Sequence, residues 1–197
     1  MNHIKIVDGN SLLFRSFYAM YRPGVPLMSN KDGIPTNAIF IFHKFMKKLK
    51  DDLNEGDRLI VCFDTGKKTF RSKLLDQYKQ QRKPIEPELK VQIPISREML
   101  DAMNISHCEL EGYEADDLAG SLAKYAEKLG DKVDLYTSDK DYLQLINNNI
   151  SIYMITKGIK ETKIMNKESL FNEMGLTPDQ IRDYKGLMGD PSDNIKG

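Results

Sequence analysis

Short apolar runs and longer amphipathic stretches alternate along the chain. Residues 3–7 (HIKIV), 58–63 (RLIVCF), 105–110 (ISHCEL), 132–137 (KVDLYT) and 150–155 (ISIYMI) have the length and the β-branched or aromatic content of strands. Between them apolar residues recur at helical spacing. Leu12, Leu13, Phe14 and Phe17 mark a helix over Ser11–Met20. Ala38, Ile41, Phe42, Phe45, Met46 and Leu49 mark a longer one, capped by Thr36 or Asn37 and reaching about Leu53. Ala115, Leu118, Ala119, Leu122, Ala126 and Leu129 form one stripe on a third, which Gly130 ends. Further helices are predicted over Pro94–Met103, Asn166–Met174 and Pro178–Leu187, the last with Thr177 as cap and proline in its first turn. A short helical turn covers Tyr142–Ile146, and a turn at Lys157-Gly158 leads to a last extended stretch, Thr162–Met165. Strands that alternate with helices predict an α/β fold with a mainly parallel central sheet.

What ends the strands changes the picture. Three of them run into an acid: Asp8, Asp64 and Asp139, with Asp141 close behind. The third helix begins with Glu114, Asp116 and Asp117, and its N-terminus returns to the same side of the sheet. A helix N-terminus or a strand-end turn accommodates a carboxylate without any further role. A parallel sheet, however, brings all these ends to one rim, where open α/β sheets bind ligands. Seven carboxylates would then share that rim. Two unit charges about 4 Å apart repel by roughly 4 kcal/mol at an effective dielectric of about 20. Protonation or bound divalent cations must relieve this. Oxygen ligands without His or Cys select Mg2+ or Mn2+, and two such ions about 4 Å apart are a standard device for phosphodiester cleavage.

Bulk composition adds little. The chain of 197 residues balances 29 acidic against 29 basic side chains and is 40% apolar, enough for a core. No apolar run is long enough to span a membrane, and the N-terminus lacks a signal-peptide layout. Cys62 and Cys108 lie in strand-like surroundings without zinc spacing, which suits free buried thiols of a cytoplasmic protein. His3, His43 and His107 are scattered and fit structural or surface roles. Charge is uneven locally. Lys67, Lys68, Arg71, Lys73, Lys79, Arg82, Lys83 and Lys90 face only Asp76, Glu86 and Glu88 across residues 67–90, with Phe70 and Tyr78 interleaved. A solvated charged helix would give that composition. Its position just after Asp64 favours a nucleic-acid contact instead. Pro84 and Pro87 divide the stretch into two short helical pieces, as in an arch or lid over the acids.

The segments VDGNSLLFRSFYA, FDTGKKTFR, YKQQR, GYEADDLAGSLA, TSDKDYLQL and GDPSDNI carry a resemblance. In this order they resemble the 5′→3′ exonuclease domain of bacterial DNA polymerase I and its stand-alone relatives, within the flap-endonuclease (PIN-like) superfamily. The likeness runs through essentially the whole chain. It implies a three-layer PIN-like fold with helices on both sheet faces and a helical arch (about 66–93) over the active site. Residues 1–165 would form the catalytic domain and 166–197 the start of a C-terminal helical DNA-binding subdomain, cut short.

The resemblance also assigns residues. Asp8, Asp64, Glu114, Asp116, Asp117, Asp139, Asp141, Asp190 and Asp193 correspond to the metal-binding acids, holding two or three Mg2+ or Mn2+ ions, with Asp64 and Asp116 central to catalysis. Lys79 and Arg82 correspond to the catalytic cations on the scissile phosphate. Arg15, Phe70, Arg71, Tyr78, Lys83 and Lys140, with Lys79 and Arg82, correspond to DNA contacts. The implied activity is metal-dependent hydrolysis at 5′ ends and 5′ flaps of duplex DNA, RNA-primed ends included, in repair and primer removal. The implied protein is a cytoplasmic monomer, either standing alone or fused to a polymerase domain in the natural gene. Two departures stand out. Ile41 replaces a usual glycine, and the chain stops at Gly197, before the family's glycine-rich helix–turn–helix element that grips duplex, so a fragment is expected.

Three other readings remain open on the residues. A non-cleaving relative that binds branched DNA would need the same fold but would be expected to lack a carboxylate. A PIN-type ribonuclease would share the acids, though not the basic arch and tail acids. A phosphatase with an aspartate nucleophile suits FDTG loosely, but position 66 is glycine where it needs a second aspartate.

Overall fold

The first strand, β1 (His3–Asp8), lies inside a six-stranded sheet, with β2 (Arg58–Phe63) and then β3 (Ser106–Glu109) on one side. On its other side follow β4 (Lys132–Thr137), β5 (Ile150–Ile155) and β6 (Thr162–Met165). The computed structural model describes residues 2–156 and 161–197, so the turn expected at Lys157-Gly158 lies outside the described residues. β1 to β5 are parallel, and β6 pairs antiparallel with β5 at the edge. The chain works outward from β1 to β3 and then starts again at β4, beside β1. That reversal opens a crevice at the C-terminal ends of β1 and β4, the usual ligand position in such sheets.

Alternation along β1 serves two cores. Ile6 joins Ala115, Ala119, Ala123 and Ala126 of α6 (Ala115–Lys128). Val7 joins the opposite cluster with Leu12 and Phe17 of α1 (Gly9–Met20) and Phe42 and Met46 of α2 (Asn37–Asp51). Lys5, two residues before Val7, is buried on the same side. Its Nζ donates to the carbonyls of Leu49 at 3.3 Å and Asp52 at 3.0 Å, satisfying acceptors that the end of α2 leaves open. The step from β1 into α1 requires glycine. A Cβ on Gly9 would stand 2.5 Å from Phe63 Cε1 and 2.7 Å from Val61 Cγ1.

The expected elements are present, with local differences; Thr177 does not cap the last helix, which starts at Gln180 after Asp179 and leaves Pro178 outside its first turn. Thr36 stands at the cap position of α2 but makes no side-chain capping bond. Gln92, the first residue of α5 (Gln92–Ala102), supplies the acceptor: its Oε1 takes the N–H groups of Ala38 at 2.9 Å and Ile39 at 3.2 Å. A tertiary contact thus replaces the local cap. On α6, Ala123 is buried in the stripe, and Leu129 is 63% exposed because the helix ends at Lys128. The short turn after β4 is a 3-10 helix over Lys140–Leu145, beginning two residues earlier than expected, directly after Asp139.

The arch segment contains α3 (Phe70–Leu74) and α4 (Pro87–Lys90). The chain closes with α7 (Lys167–Met174), α8 (Gln180–Met188) and a two-stranded hairpin, β7 (Gly189–Asp190) and β8 (Ile195–Lys196). Leu170 of α7 and Ile181 of α8 join the α6-side core. Among the described residues no helix is long and apolar enough to cross a membrane.

Candidate active site

All nine acids singled out in the sequence line one cleft of about 1420 Å3 over the sheet's C-terminal rim. Asp8 ends β1 and caps α1: Oδ1 accepts the Ser11 N–H at 2.9 Å, and Oδ2 accepts the Thr137 hydroxyl at 3.1 Å. Burial, and then the nearby Asp116 and Asp64 charges, push its carboxyl up to about 8. Asp64 follows β2. Its Oδ1 accepts the Ala115 N–H at 2.6 Å, at the N-terminus of α6, and its Oδ2 accepts Asn10 Nδ2 at 3.0 Å. Asp116 accepts the Tyr142 hydroxyl at 2.8 Å. Burial, then Asp139 and Asp64, push it up to about 6. Burial likewise raises Asp64 and Asp139.

The outer acids are paired with cations. Lys79 Nζ donates to both oxygens of Glu114 at 2.9 Å, and the Tyr78 hydroxyl adds a bond at 3.1 Å. Arg71 grips Asp117 with two bonds, 2.7 and 2.8 Å, while Asp117 accepts the Glu114 N–H at 2.9 Å. Burial alone would raise Asp117, but the Arg71 fork and that N–H outweigh it and hold the carboxyl below its usual range. Lys185 of α8 bridges Asp141 at 2.7 Å and Asp190 at 3.1 Å. Burial opposes the ionised Asp190 too, but Ser192 and Lys185 outweigh it and keep its carboxyl low. Asp193 pairs with Arg82 and lies 3.9 Å from Lys79 Nζ. The arch is therefore fastened to the tail: Lys79 N–H donates to the Asp193 carbonyl at 3.2 Å, and Asn194 Nδ2 to the Gln77 carbonyl at 3.1 Å.

This arrangement relieves like-charge repulsion in two ways at once. Asp8, Asp64, Asp116 and Asp139 are shifted toward their protonated forms, and the other acids take Lys and Arg partners. Among the described residues no three Asp, Glu, His or Cys side chains are gathered closely enough to hold a metal ion. The donor chemistry nonetheless fits a hard divalent ion. Every candidate ligand is a carboxylate oxygen, and Asp8, Asp64, Asp116 and Asp139 carry raised pKa values that a cation would reverse.

Tyr78, Lys83 and Lys140 also line the cleft. Two expected DNA contacts stand outside it. Arg15 Nη1 donates to the Thr156 carbonyl at 2.6 Å, and Phe70 packs on Tyr113 with the Arg71 guanidinium 4.6 Å from its ring centre. Other lining residues were not singled out from the sequence: Asn10, Ser11, Ser138, Tyr142, Lys185 and Ser192. Asn10 and Tyr142 lie inside the quoted segments beside the acids. Lys185 sits five residues before Asp190, on the predicted helix Pro178–Leu187, where no motif marks it.

The sequence matches the family described as 5′-3′ exonuclease, N-terminal resolvase-like domain, over residues 3–175. It is 45% identical over 192 residues to DNA polymerase I of Bacillus subtilis (strain 168), covering 98% of this chain and 21% of that protein. It is 36% identical over 202 residues to the 5′-3′ exonuclease of Mycoplasma pneumoniae, covering 100% of this chain and 67% of that protein. The chain thus spans about a fifth of the length of the polymerase relative. Among solved structures, the T5 5′-exonuclease with bound zinc superposes with a TM-score of 0.70 at 23% identity, over 99% of this chain and 69% of that one. At that identity the likeness is one of fold, and it agrees with the α/β architecture with a mainly parallel sheet. The chain belongs to the 5′-3′ exonuclease family, matching its N-terminal resolvase-like domain.

Proposed function

We propose that this chain hydrolyses phosphodiester bonds at 5′ ends and 5′ flaps of duplex DNA, RNA-primed ends included, and releases 5′-phosphorylated products. The observation that carries the reading is the single cleft in which nine carboxylates lie under a basic arch. Membership of the 5′-3′ exonuclease family supports it. Asp8, Asp64, Glu114, Asp116 and Asp117 would hold one Mg2+ or Mn2+ ion, and Asp139, Asp141, Asp190 and Asp193 a second. Such ions supply hydroxide near neutral pH and stabilise charge on the leaving oxygen.

The chain's own side chains do the rest. Lys79 and Arg82 project from the arch toward the acids, where they would neutralise charge on the reacting phosphate. Lys83 and Lys140 would hold the flanking backbone, and Tyr78 offers a ring to a base. Among the described residues no Cys or His lines the cleft to act as nucleophile or to activate Ser11 or Ser138, so the attack would fall to water.

The test is cleavage of one 5′-flap duplex and its all-RNA counterpart, with Mg2+, with Mn2+ and with EDTA. DNA cleavage that EDTA stops supports the proposal. In the same assay Asp139→Ala should abolish cleavage and leave binding to the flap largely intact. Preference for the RNA substrate would point to a PIN-type ribonuclease. Binding without cleavage in either metal would point to a non-cleaving relative.

A further inference from the structure

Cys62 and Cys108 take no part in the proposed chemistry, yet they lie side by side beneath it. They are register partners on neighbouring parallel strands, β2 and β3. The Cys108 S–H donates to Cys62 Sγ across 3.7 Å, and both thiols are free. Cys62 is fully buried and Cys108 half-buried. Neighbouring strands stand about 4.8 Å apart, within the Cα separation of about 4.4–6.8 Å that disulfides bridge. β3 is only four residues long and forms the sheet edge, so a small inward shift meets little resistance.

We infer that Cys62 and Cys108 are a thiol–disulfide site, closed by peroxide-class oxidants, whose closure slows the nuclease. The second half rests on the proposed function; the bond itself does not. The link to the cleft is short in sequence. Cys62 lies two residues before Asp64 and pairs across the sheet with Asp8. β3 ends at Glu109 and leads through residues 110–113 to Glu114. Drawing β3 toward β2 therefore moves the supports of Asp64 and Glu114 relative to each other.

The chemistry balances with hydrogen peroxide as oxidant. The more accessible Cys108 thiol ionises and its thiolate attacks one peroxide oxygen; an S–O bond forms, the O–O bond breaks, and the departing hydroxide takes up the proton released on that ionisation and leaves as water. The Cys62 sulfur then attacks the Cys108 sulfur. An S–S bond forms, the S–O bond breaks, and the second hydroxide leaves as water with the Cys62 proton. Two thiols and one peroxide give one disulfide and two waters. Cys62 is fully buried while Cys108 is only half-buried, so the second step is the slow one. A small dithiol reverses the reaction by exchange.

The experiment treats the chain with hydrogen peroxide, quenches by alkylation, and follows intact mass, linked peptides and flap cleavage together. The expected result is loss of two hydrogens, protection of both thiols, and a peptide joining Cys62 to Cys108. Cleavage should fall on the same time course and return with dithiothreitol. Cys108→Ser and Cys108→Ala should cleave like the untreated chain and resist peroxide. Oxygen addition at Cys108 with Cys62 still alkylated, or linkage only between separate chains, overturns the site. A linked peptide with unchanged cleavage overturns the switch. A chain that never cleaves fails the proposed function alone, since mass and peptides still judge the bond.

Discussion

Asn10 and Asp64 clasp each other across the ends of β1 and β2. Asn10 Nδ2 donates to Asp64 Oδ2 at 3.0 Å, and Asn10 Oδ1 accepts the Asp64 backbone N–H at 3.1 Å. With the Ala115 N–H on the other oxygen, this fixes the Asp64 carboxylate in one orientation. Asn10→Ala removes both bonds and should cost about 1–2 kcal/mol of stability. It should also lower flap cleavage at limiting Mg2+ more than at saturating Mg2+. Urea unfolding and a metal titration of single-turnover rates check this. An unchanged metal dependence would make Asn10 a purely structural clasp.

Arg71 meets Asp117 with a planar fork, and a lysine cannot copy that geometry. Arg71→Ala should destabilise the chain by about 1 kcal/mol once solvent screening of a partly exposed pair is allowed for. Arg71→Lys should fall between the two. Asp117 also accepts the Glu114 N–H, so loss of the fork should loosen the start of α6. Hydrogen exchange at residues 114–118 reads that local change. Equal protection in all three proteins would detach the pair from the helix start.

The sequence made the strands and the acid rim legible because both depend on local pattern and order. A run such as RLIVCF is a strand wherever it lies, and β2 spans those six residues. Asp8, Asp64 and Asp139 follow strands, so a parallel sheet gathers them without any knowledge of packing. Partners contributed by distant segments were not legible. Gln92 caps α2 from 54 residues away, and no local rule about Thr36 anticipates it. Lys185 stands among the acids because α8 packs against the turn that carries Asp141, and nothing in its own stretch marks it. The expectation that only protons or dications could reconcile so many carboxylates left out basic partners from the arch and α8. Arg15, in turn, finds the Thr156 carbonyl, 141 residues along the chain, which no motif reveals.

Lys79 is one of three non-glycine residues with positive φ among the described residues, at 57°. This left-handed backbone costs an ordinary residue roughly 1 kcal/mol, and it is held by the bond from Lys79 N–H to the Asp193 carbonyl. Lys79→Gly and Lys79→Ala both remove the ammonium that sits on Glu114, but only glycine relieves the backbone. The glycine variant should therefore be the more stable of the two, by about 0.5–1 kcal/mol. Both should slow single-turnover cleavage alike. Equal stability would mean the arch relaxes around residue 79. Wild-type cleavage rates in both would remove Lys79 from the reacting phosphate.

Asp8 and Asp116 tie stability to pH, and the direction follows from where the protons sit. Their carboxyls are pushed up to about 8 and about 6 in the fold, from 3.8 when unperturbed. Between about pH 4 and pH 8 the folded chain keeps protons that the unfolded chain releases, so without metal its stability falls as pH rises. Asp117 and Asp190 are shifted the other way, and their contribution is lost only as pH drops through the acid range below about 4. A divalent cation binds the ionised carboxylates and competes with those protons. Thermal unfolding in EDTA should therefore give a lower Tm at about pH 8.5 than at about pH 5.5, and millimolar Mg2+ should raise Tm more at the higher pH. Asp8→Asn cannot ionise there, so its metal-free Tm should vary less with pH and gain less from Mg2+. If Mg2+ shifts the wild-type Tm equally at both pH values, the buried acids are not the groups that bind it.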